Sequence, residues 1–188
     1  MRMIQKVLVS FNGDRDPHSV SQSGALLEGP VLTILKARND FDKIILFSSR
    51  LREKAEETRK IIGERWPRIH VLVHELDIPN PTSYARILKA LRDCLPELCT
   101  PDPSTEYYVC VSPGTPQMHA CGLLLTASGE FPAKILQIVD PRHLKEGQDP
   151  VLEIHPRGPE FPDVIPRVRM DEVPEVTEIG RASCRERV

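Results

Sequence analysis

The sequence lacks several features that would indicate common functions. No apolar run approaches the roughly 20 residues that a membrane-spanning helix needs, so we expect no membrane span. The formal net charge of −2 leaves no basic excess of the kind that binds duplex nucleic acid. The start, "MRMIQKVLVSF", has no small-residue cleavage site, and we interpret it as a first strand and not as a signal peptide. We therefore expect a cytoplasmic protein.

Signatures of bound metals and cofactors are also missing. The five cysteines, none in a C-x-x-C pair, are Cys94, Cys99, Cys110, Cys121 and Cys184. Cys110 and Cys121 lie in apolar segments, so we interpret these residues as buried free thiols and expect neither a zinc site nor a disulfide framework. His119 lies two residues before Cys121, a spacing that places the two side chains on different faces of a helix. Neither G-x-G-x-x-G nor G-x-x-x-x-G-K-[ST] occurs, and we expect no cofactor.

The sequence does contain an alternation of strand-like and helix-like segments. Strands are predicted at 4–11, 43–49, 70–77, 107–112 and 133–140, and helices at 29–38, 50–66, 83–95 and from 115. The helical stripe of 83–95 consists of Tyr84, Ile87, Leu88, Leu91 and Leu95. Repeated βαβ units predict an α/β fold, a Rossmann-like and mostly parallel sheet with helices on both faces. After residue 140 we expect an edge hairpin and a Pro-rich extension.

Two loops are candidates for a binding site, because ligands of open α/β sheets bind beyond the carboxyl ends of the strands. The first, "FNGDRDPHSVSQSG" at 11–24, is long and polar. The second is "SPGTP", where Gly114 permits close backbone approach, Thr115 can cap the following helix and Pro116 suits its first position. Free N–H groups and the positive end of the helix dipole would then face outward, which suits a phosphate or a polar nucleotide edge.

A first strand with a polar loop, followed later by "SPGTPQMHA", resembles the CARF domain, the CRISPR-associated Rossmann-fold sensor. The resemblance covers residues 3–155 and is nearest to the CARF modules of sigma-54-type activators, including relatives of the RNA-repair operon regulator. It implies a homodimer whose paired loops form one symmetric pocket for a cyclic oligoadenylate, either the tetra- or the hexa-adenylate.

The resemblance also implies which residues line that pocket. Carried over by position, they are Ser10, Asn12, Gly13, Asp14, Arg15, Ser112, Pro113, Gly114, Thr115, Gln117 and Met118. No catalytic residue and no metal ligand is assigned. Amides at Gly114 and Thr115, with the Ser112 and Thr115 hydroxyls, would hold phosphate and ribose oxygens.

For the bases, Asn12 or Gln117 would read an adenine edge with a donor and an acceptor, and Met118 would pack on a base face. Simpler interpretations stay open. Asp14 and Arg15 also fit a solvated turn, Met118 also fits the core, and Gln117 also fits a solvent-facing position.

Several functions remain possible from the sequence. The preferred one is a binding module that controls an effector. Ring cleavage by a ribose hydroxyl could use Ser10, Thr115 and a cation such as Arg15 or Lys145, but no nucleophile–base pair is evident. A sensor of RNA ends with a terminal cyclic phosphate is a second alternative. A small-molecule enzyme is a third, for which only Asp14, Asp16 and His18 are available as chemical groups.

The domain organisation follows from this interpretation. Residues 1–155 form the expected ligand-sensing domain, and 156–177 form a Pro-rich linker. The last segment, 178–188, reads "EIGRASCRERV" and resembles the translation of a sequencing adapter, so we interpret it as a non-native tail. The natural gene is then expected to continue beyond Thr177 into an effector domain.

Overall fold

The computed structural model of the protein describes residues 4–21, 23–100, 102–140 and 143–155. The elements are β1 (Gln5–Phe11), β2 (His18–Val20), β3 (Leu26–Glu28), α1 (Pro30–Ala37), β4 (Lys43–Ser48), α2 (Arg52–Arg65), β5 (His70–Glu75), α3 (Tyr84–Leu98), β6 (Thr105–Cys110), α4 (Pro116–Ala127), β7 (Ala133–Ile138) and β8 (Val151–Ile154). The predicted linker 156–177 and tail 178–188, with Cys184, lie outside the described residues.

Six of the strands form one sheet in the order β5-β4-β1-β6-β7-β8. All neighbouring pairs are parallel except β7 with β8, which are antiparallel. Numbered along the chain within this sheet, the order is 3-2-1-4-5-6, the Rossmann arrangement, in which the winding reverses between strands 1 and 4. The predicted Rossmann-like, mostly parallel sheet is confirmed, with its switch point between β1 and β6, and where an edge hairpin was expected β8 pairs antiparallel with β7.

Both faces of the sheet are covered, because the buried strands carry apolar side chains on both sides. In β4, Ile44 and Leu46 belong to the core that α1 and α2 cover. The alternate residues Ile45 and Phe47 belong to the core that α3 and α4 cover. The continuous apolar run of this strand is thus explained by two separate cores, one on each side.

The segment after β1 differs from the prediction. Residues 11–24 were expected to form a polar loop, but β2 and β3 form an antiparallel hairpin in which Val20 lies opposite Leu26. Each strand has only three residues, too few for alternation to be recognised in the sequence. Val20 and Leu26 are each 70% exposed, so the hairpin is not part of either core.

The stripe predicted for α3 is largely buried. Ile87, Leu91 and Leu95 are buried, and Leu88 packs against the same core. Tyr84 is an exception at 48% exposed, because it is the first residue of the helix and lies at the end of the stripe.

Four of the cysteines, Cys94, Cys99, Cys110 and Cys121, are buried free thiols as predicted. Burial raises the pKa of Cys110 to about 12, so its thiol stays protonated at neutral pH. Among the described residues, no group of three or more His, Cys, Asp or Glu side chains could hold a metal ion. Within the same ranges, no helix has both the length and the apolar character needed to cross a bilayer.

Candidate functional site

The two predicted loops meet at the switch point of the sheet. We call residues 12–17, after β1, the first loop, and residues 111–115, after β6, the second loop. A Cβ atom built on Gly13 would lie 2.7 Å from the backbone N of Gly114 and 3.3 Å from the Cβ of Pro113. The backbones of the two loops are therefore in direct contact, at the place where α/β sheets of this type bind ligands.

The second loop turns directly into α4. Gly114 has φ 99°, a left-handed conformation that favours glycine. Thr115 is the N-cap of α4, with Oγ1 accepting from the N–H of Met118 at 3.3 Å and donating to the carbonyl of Pro81 at 2.8 Å. Pro116 occupies the first turn, as the sequence predicted. The described residues supply no acceptor for the N–H groups of Gly114 and Gln117.

A buried carboxylate organises the first loop. Asp16 is 0% exposed, and its Oδ2 accepts from the N–H of Gly13 at 3.0 Å. Its Oδ1 accepts from the N–H of Val31, in the first turn of α1, at 3.1 Å. Burial raises the pKa of Asp16 to about 6, against the opposing effects of these two hydrogen bonds and of the positive charge of Lys54.

The predicted site residues differ in their accessibility. The exposed ones are Asp14, Arg15 and Gly114, and the half-buried ones are Ser112, Thr115 and Gln117. The buried ones are Ser10, Asn12, Gly13, Pro113 and Met118. The fold thus brings all eleven to one end of the sheet, but only six of them reach the surface to any extent.

Like Thr115, two other predicted site residues with hydroxyl groups already have structural partners. Ser10 is 2% exposed, and its Oγ donates to the carbonyl of Phe11 at 2.9 Å. The Oγ of Ser112 accepts from the N–H of Ile138, the last residue of β7, at 2.7 Å. In this structure both hydroxyls therefore make hydrogen bonds within the protein.

We expect Ser112→Ala to lower the free energy of unfolding by about 1 kcal/mol, because the half-buried N–H of Ile138 would lose its acceptor. Urea denaturation measures this loss, and calorimetry measures ligand affinity in parallel. Unchanged stability together with lost affinity would contradict the structural role and assign the hydroxyl to the ligand.

Asn12 is less available for reading a base than the sequence suggested. It is 6% exposed, and its Oδ1 accepts from the Oγ1 of Thr58, on α2, at 3.0 Å. Its Nδ2 is buried and has no hydrogen-bond partner within the described part of the chain. The hydroxyl of Ser48, the last residue of β4, is likewise buried and has no partner among the residues that the structure describes. The acceptor half of the predicted adenine contact is therefore occupied.

Besides Asp16, sequence reasoning did not assign three further side chains near the loops to the site. Thr58 contacts Asn12, and Lys54 donates from its Nζ to the backbone carbonyl of Asp14, so α2 supports the first loop from one side. His119 lies on α4 near the carbonyls of Pro113 and Gly114, and burial lowers its pKa despite these two acceptors. Lys54 and Thr58 are four residues apart in α2, so the predicted helix already placed them on one face.

Most of the sequence matches a known protein family. The family model described as "RtcR: Regulator of RNA terminal phosphate cyclase" matches residues 30–155, which include the second loop and five strands of the main sheet. The chain belongs to the RtcR family. The first loop precedes the matched range. What connects it with the second loop is the contact between Gly13 and Gly114. The resemblance to CARF sensors of RNA-repair regulators is confirmed.

Solved structures show the same fold at low sequence identity. Csm6 of Enterococcus italicus, bound to cyclic hexa-2'-fluoro-hexa-dAMP, matches with a TM-score of 0.66 and 18% identity over 80% of this chain and 41% of its own. The protein VC1899 from Vibrio cholerae matches with a TM-score of 0.57 and 16% identity over 81% of this chain and 34% of its own. The RtcR-family chain thus spans less than half the length of either structure. Curated protein sequences give no match.

Proposed function

We propose that this RtcR-family domain is a ligand sensor that binds a cyclic oligoadenylate at the junction of its two loops and thereby controls an attached effector. The observation that carries the proposal is the backbone contact between Gly13 and Gly114 at the switch point, beside N–H groups that have no acceptor among the described residues. Membership in a family of regulators and a fold shared with a ring-bound Csm6 support it.

The chemistry of the site suits an anionic ligand. The N–H groups of Gly114 and Gln117 lie at the N-terminus of α4, where the helix dipole favours negative charge. Gly114 is exposed, so a phosphate oxygen can approach its backbone. Arg15 is exposed on the first loop and can add a positive charge at the rim. The overall charge of −2 does not oppose such binding, because a pocket needs only a few local donors.

A homodimer is part of the proposal. A cyclic oligoadenylate of even size has twofold symmetry, so a pocket on a twofold axis would make each contact twice. Two copies of the second loop, facing each other, would present two sets of amide donors to opposite phosphates. The effector beyond the predicted linker 156–177, and a cytoplasmic location, complete this picture.

The domain also contains a physical connection between the loops and the edge strand that precedes the linker. Asp16 holds the first turn of α1, and Arg38, which caps the other end of α1, pairs with Glu153 of β8 at 3.2 Å. β8 ends at Ile154, next to the predicted linker. A displacement of the first loop by a ligand would thus act on α1 and β8, provided that the ligand binds two states of the domain with different affinity.

The second candidate function is recognition of RNA ends that carry a terminal cyclic phosphate. The family description, which names a regulator of RNA terminal phosphate cyclase, favours it. The same amide donors would then hold a single cyclic phosphate. Cleavage of the ring has less support, because Ser10 and Thr115 engage their hydroxyls in the structure and no base lies against them among the described partners.

Calorimetric titration of the 188-residue chain with cyclic tetra-adenylate, cyclic hexa-adenylate and a cyclic-phosphate RNA tests the proposal. The same RNA with a terminal 3'-hydroxyl is the matched control. Binding of one ring per two chains supports the sensor, and binding of the cyclic-phosphate RNA alone supports the second candidate. Shortening of the ring, followed by chromatography, would identify a ring nuclease, and turnover of a mononucleotide would overturn both sensors.

A further inference from the structure

We propose that Asp16 is a positioning residue of this site: its carboxylate joins the N–H of Gly13 to the first turn of α1 and so sets the place where the two loops touch. This inference rests on the proposed function for its consequence, the affinity for a ligand. That Asp16 holds the first loop to α1 is a property of the unliganded domain.

The carboxylate uses its two oxygens for two different elements. Oδ2 accepts from Gly13 at 3.0 Å, and the N–H of Asp16 returns a hydrogen bond to the carbonyl of Gly13 at 3.1 Å. Oδ1 accepts from Val31 at 3.1 Å, across 15 residues of chain. The N-cap residue of α1, Gly29, provides no side-chain cap, so Asp16 takes the role that a local Ser, Thr or Asp usually has.

The surrounding space is shaped for this arrangement. A Cβ atom on Gly29 would lie 2.5 Å from the carbonyl oxygen of Arg15 and 2.5 Å from Oδ1 of Asp16. The N–H of Gly29 donates to the carbonyl of Pro17 at 2.8 Å. Glycine is therefore what allows the start of α1 to approach the first loop closely enough for the carboxylate to reach both donors.

Placement of Gly13 decides the geometry of the site. Gly13 touches the N of Gly114, whose N–H is one of the proposed phosphate donors. If the carboxylate were removed, the N–H of Gly13 would lose its acceptor and the first loop would lose its connection to α1. The second loop would then lack the backbone surface against which it lies. Asp16 acts through Gly13 and does not touch the ligand.

Burial and a few neighbouring groups set the charge state of Asp16. Among the described residues, the positive charge of Lys54 on α2 lowers the pKa of Asp16. Cys110 of β6 also lies near the carboxylate, but its thiol stays neutral at physiological pH. The α1 residue at this contact, Val31, has an apolar side chain. The folded-state pKa of about 6 exceeds the usual 3.8. Stability from this group is therefore present in acid and is lost as pH rises through about 6. At neutral pH the ionised form costs stability through burial, and the hydrogen bonds from Gly13 and Val31 offset part of that cost.

The test compares Asp16→Asn with the wild-type chain. Asparagine has the same shape but replaces one acceptor by an NH₂ group, so either Gly13 or Val31 would face a donor. We expect at least tenfold weaker binding of the cyclic oligoadenylate, and faster hydrogen exchange at the amides of Gly13 and Val31 without ligand. Ile69→Ala, a core change just before β5 and at the opposite end of the sheet from the loops, is the control that lowers stability.

The outcomes separate this inference from the proposed function. If the wild type binds neither ring nor RNA, the proposed function fails, while the amide exchange still decides whether Asp16 holds the loop. Wild-type affinity in Asp16→Asn overturns the positioning role, as does a loss of affinity no larger than that of Ile69→Ala at matched melting temperature. Unchanged exchange at Gly13 and Val31 overturns it as well.

A second measurement applies if Asp16→Asn fails to fold. In the wild type, the amide proton resonances of Gly13 and Val31 are expected to titrate together, with a midpoint near the Asp16 pKa of about 6. Saturation with the ring is expected to displace that midpoint, because binding and protonation are linked through the same loop. Separate titrations, or a midpoint that the ring does not move, would overturn the proposal.

Discussion

Gly13→Ala is expected to weaken binding of the cyclic oligoadenylate at least a hundredfold. The added Cβ would lie 2.7 Å from the backbone N of Gly114, a separation that real side chains do not adopt. Neither partner can relieve the contact by rotating a side chain, because backbone lies on both sides. The two loops would move apart, and the donors of the second loop would lose their arrangement. Calorimetry with each ring measures the effect.

Gly63→Ala is the matched control for this substitution. Gly63 lies in α2, and a Cβ built there would meet nothing within 4 Å. Alanine in a helix interior is favoured over glycine by roughly 1 kcal/mol, so this variant is expected to be slightly more stable and to bind normally. Binding by Gly13→Ala within threefold of this control would show that the contact between the loops is unimportant for the ligand.

Gly29→Ala is expected to have the largest effect on stability, about 3 kcal/mol, because overpacking against backbone forces the main chain to shift. The Cβ would come within 2.5 Å of the carbonyl oxygen of Arg15 and 2.8 Å of the Cα of Asp16. Since Gly29 has φ −70°, the backbone conformation itself suits alanine, and the cost is entirely steric. For a domain of this size, the melting temperature should fall by roughly 6 to 12 °C.

Thermal and urea unfolding, again beside Gly63→Ala, measure the Gly29→Ala effect. A melting temperature within 2 °C of the wild type would mean that α1 and the first loop are not packed as closely as described, and would weaken the case for Asp16 at the same time. Because Gly29 is not in the second loop, a stable Gly29→Ala variant that loses ligand affinity would point to the position of α1 as the controlling feature.

Gly13 is a better position than Gly114 for testing the contact between the two loops. Alanine at Gly114 would be strained by the φ of 99°, whatever the space around it. Its Cβ would also meet the Sδ of Met118 at 2.9 Å, but that is the far end of a flexible side chain, which can move. A loss of binding in Gly114→Ala would therefore mix backbone strain with changes in contact, whereas Gly13→Ala changes the contact alone.

Much of the fold could be predicted from the sequence, because local patterns carry the information for each element. The apolar run at 43–49 and the stripe Ile87, Leu91 and Leu95 follow directly from the side-chain periods of a strand and a helix. "SPGTP" predicted the abrupt start of α4, since a threonine that can cap a helix and a proline suited to its first turn follow Gly114 directly. The succession of elements then restricted the topology to a Rossmann-like sheet.

The partners within the site depend on the tertiary structure. Asp16 was available to the sequence only as a possible acid of an enzyme, because its two donors lie three and 15 residues away in the chain and no periodicity connects them. The contact of Asn12 with Thr58 spans 46 residues. Such pairs form only when the sheet brings β1 beside β4 and places α2 over them.

The sequence by itself therefore determined the alternation of strands and helices, the end of the sheet at which a ligand can bind, and the sharp start of α4. Only the tertiary structure decided that Gly13 touches Gly114, that Ser10 and Asn12 point into the protein, and that a buried Asp16 holds the first loop to α1. The reason is physical: periodicity and capping act over a few residues, whereas burial of a polar group depends on which distant elements pack around it.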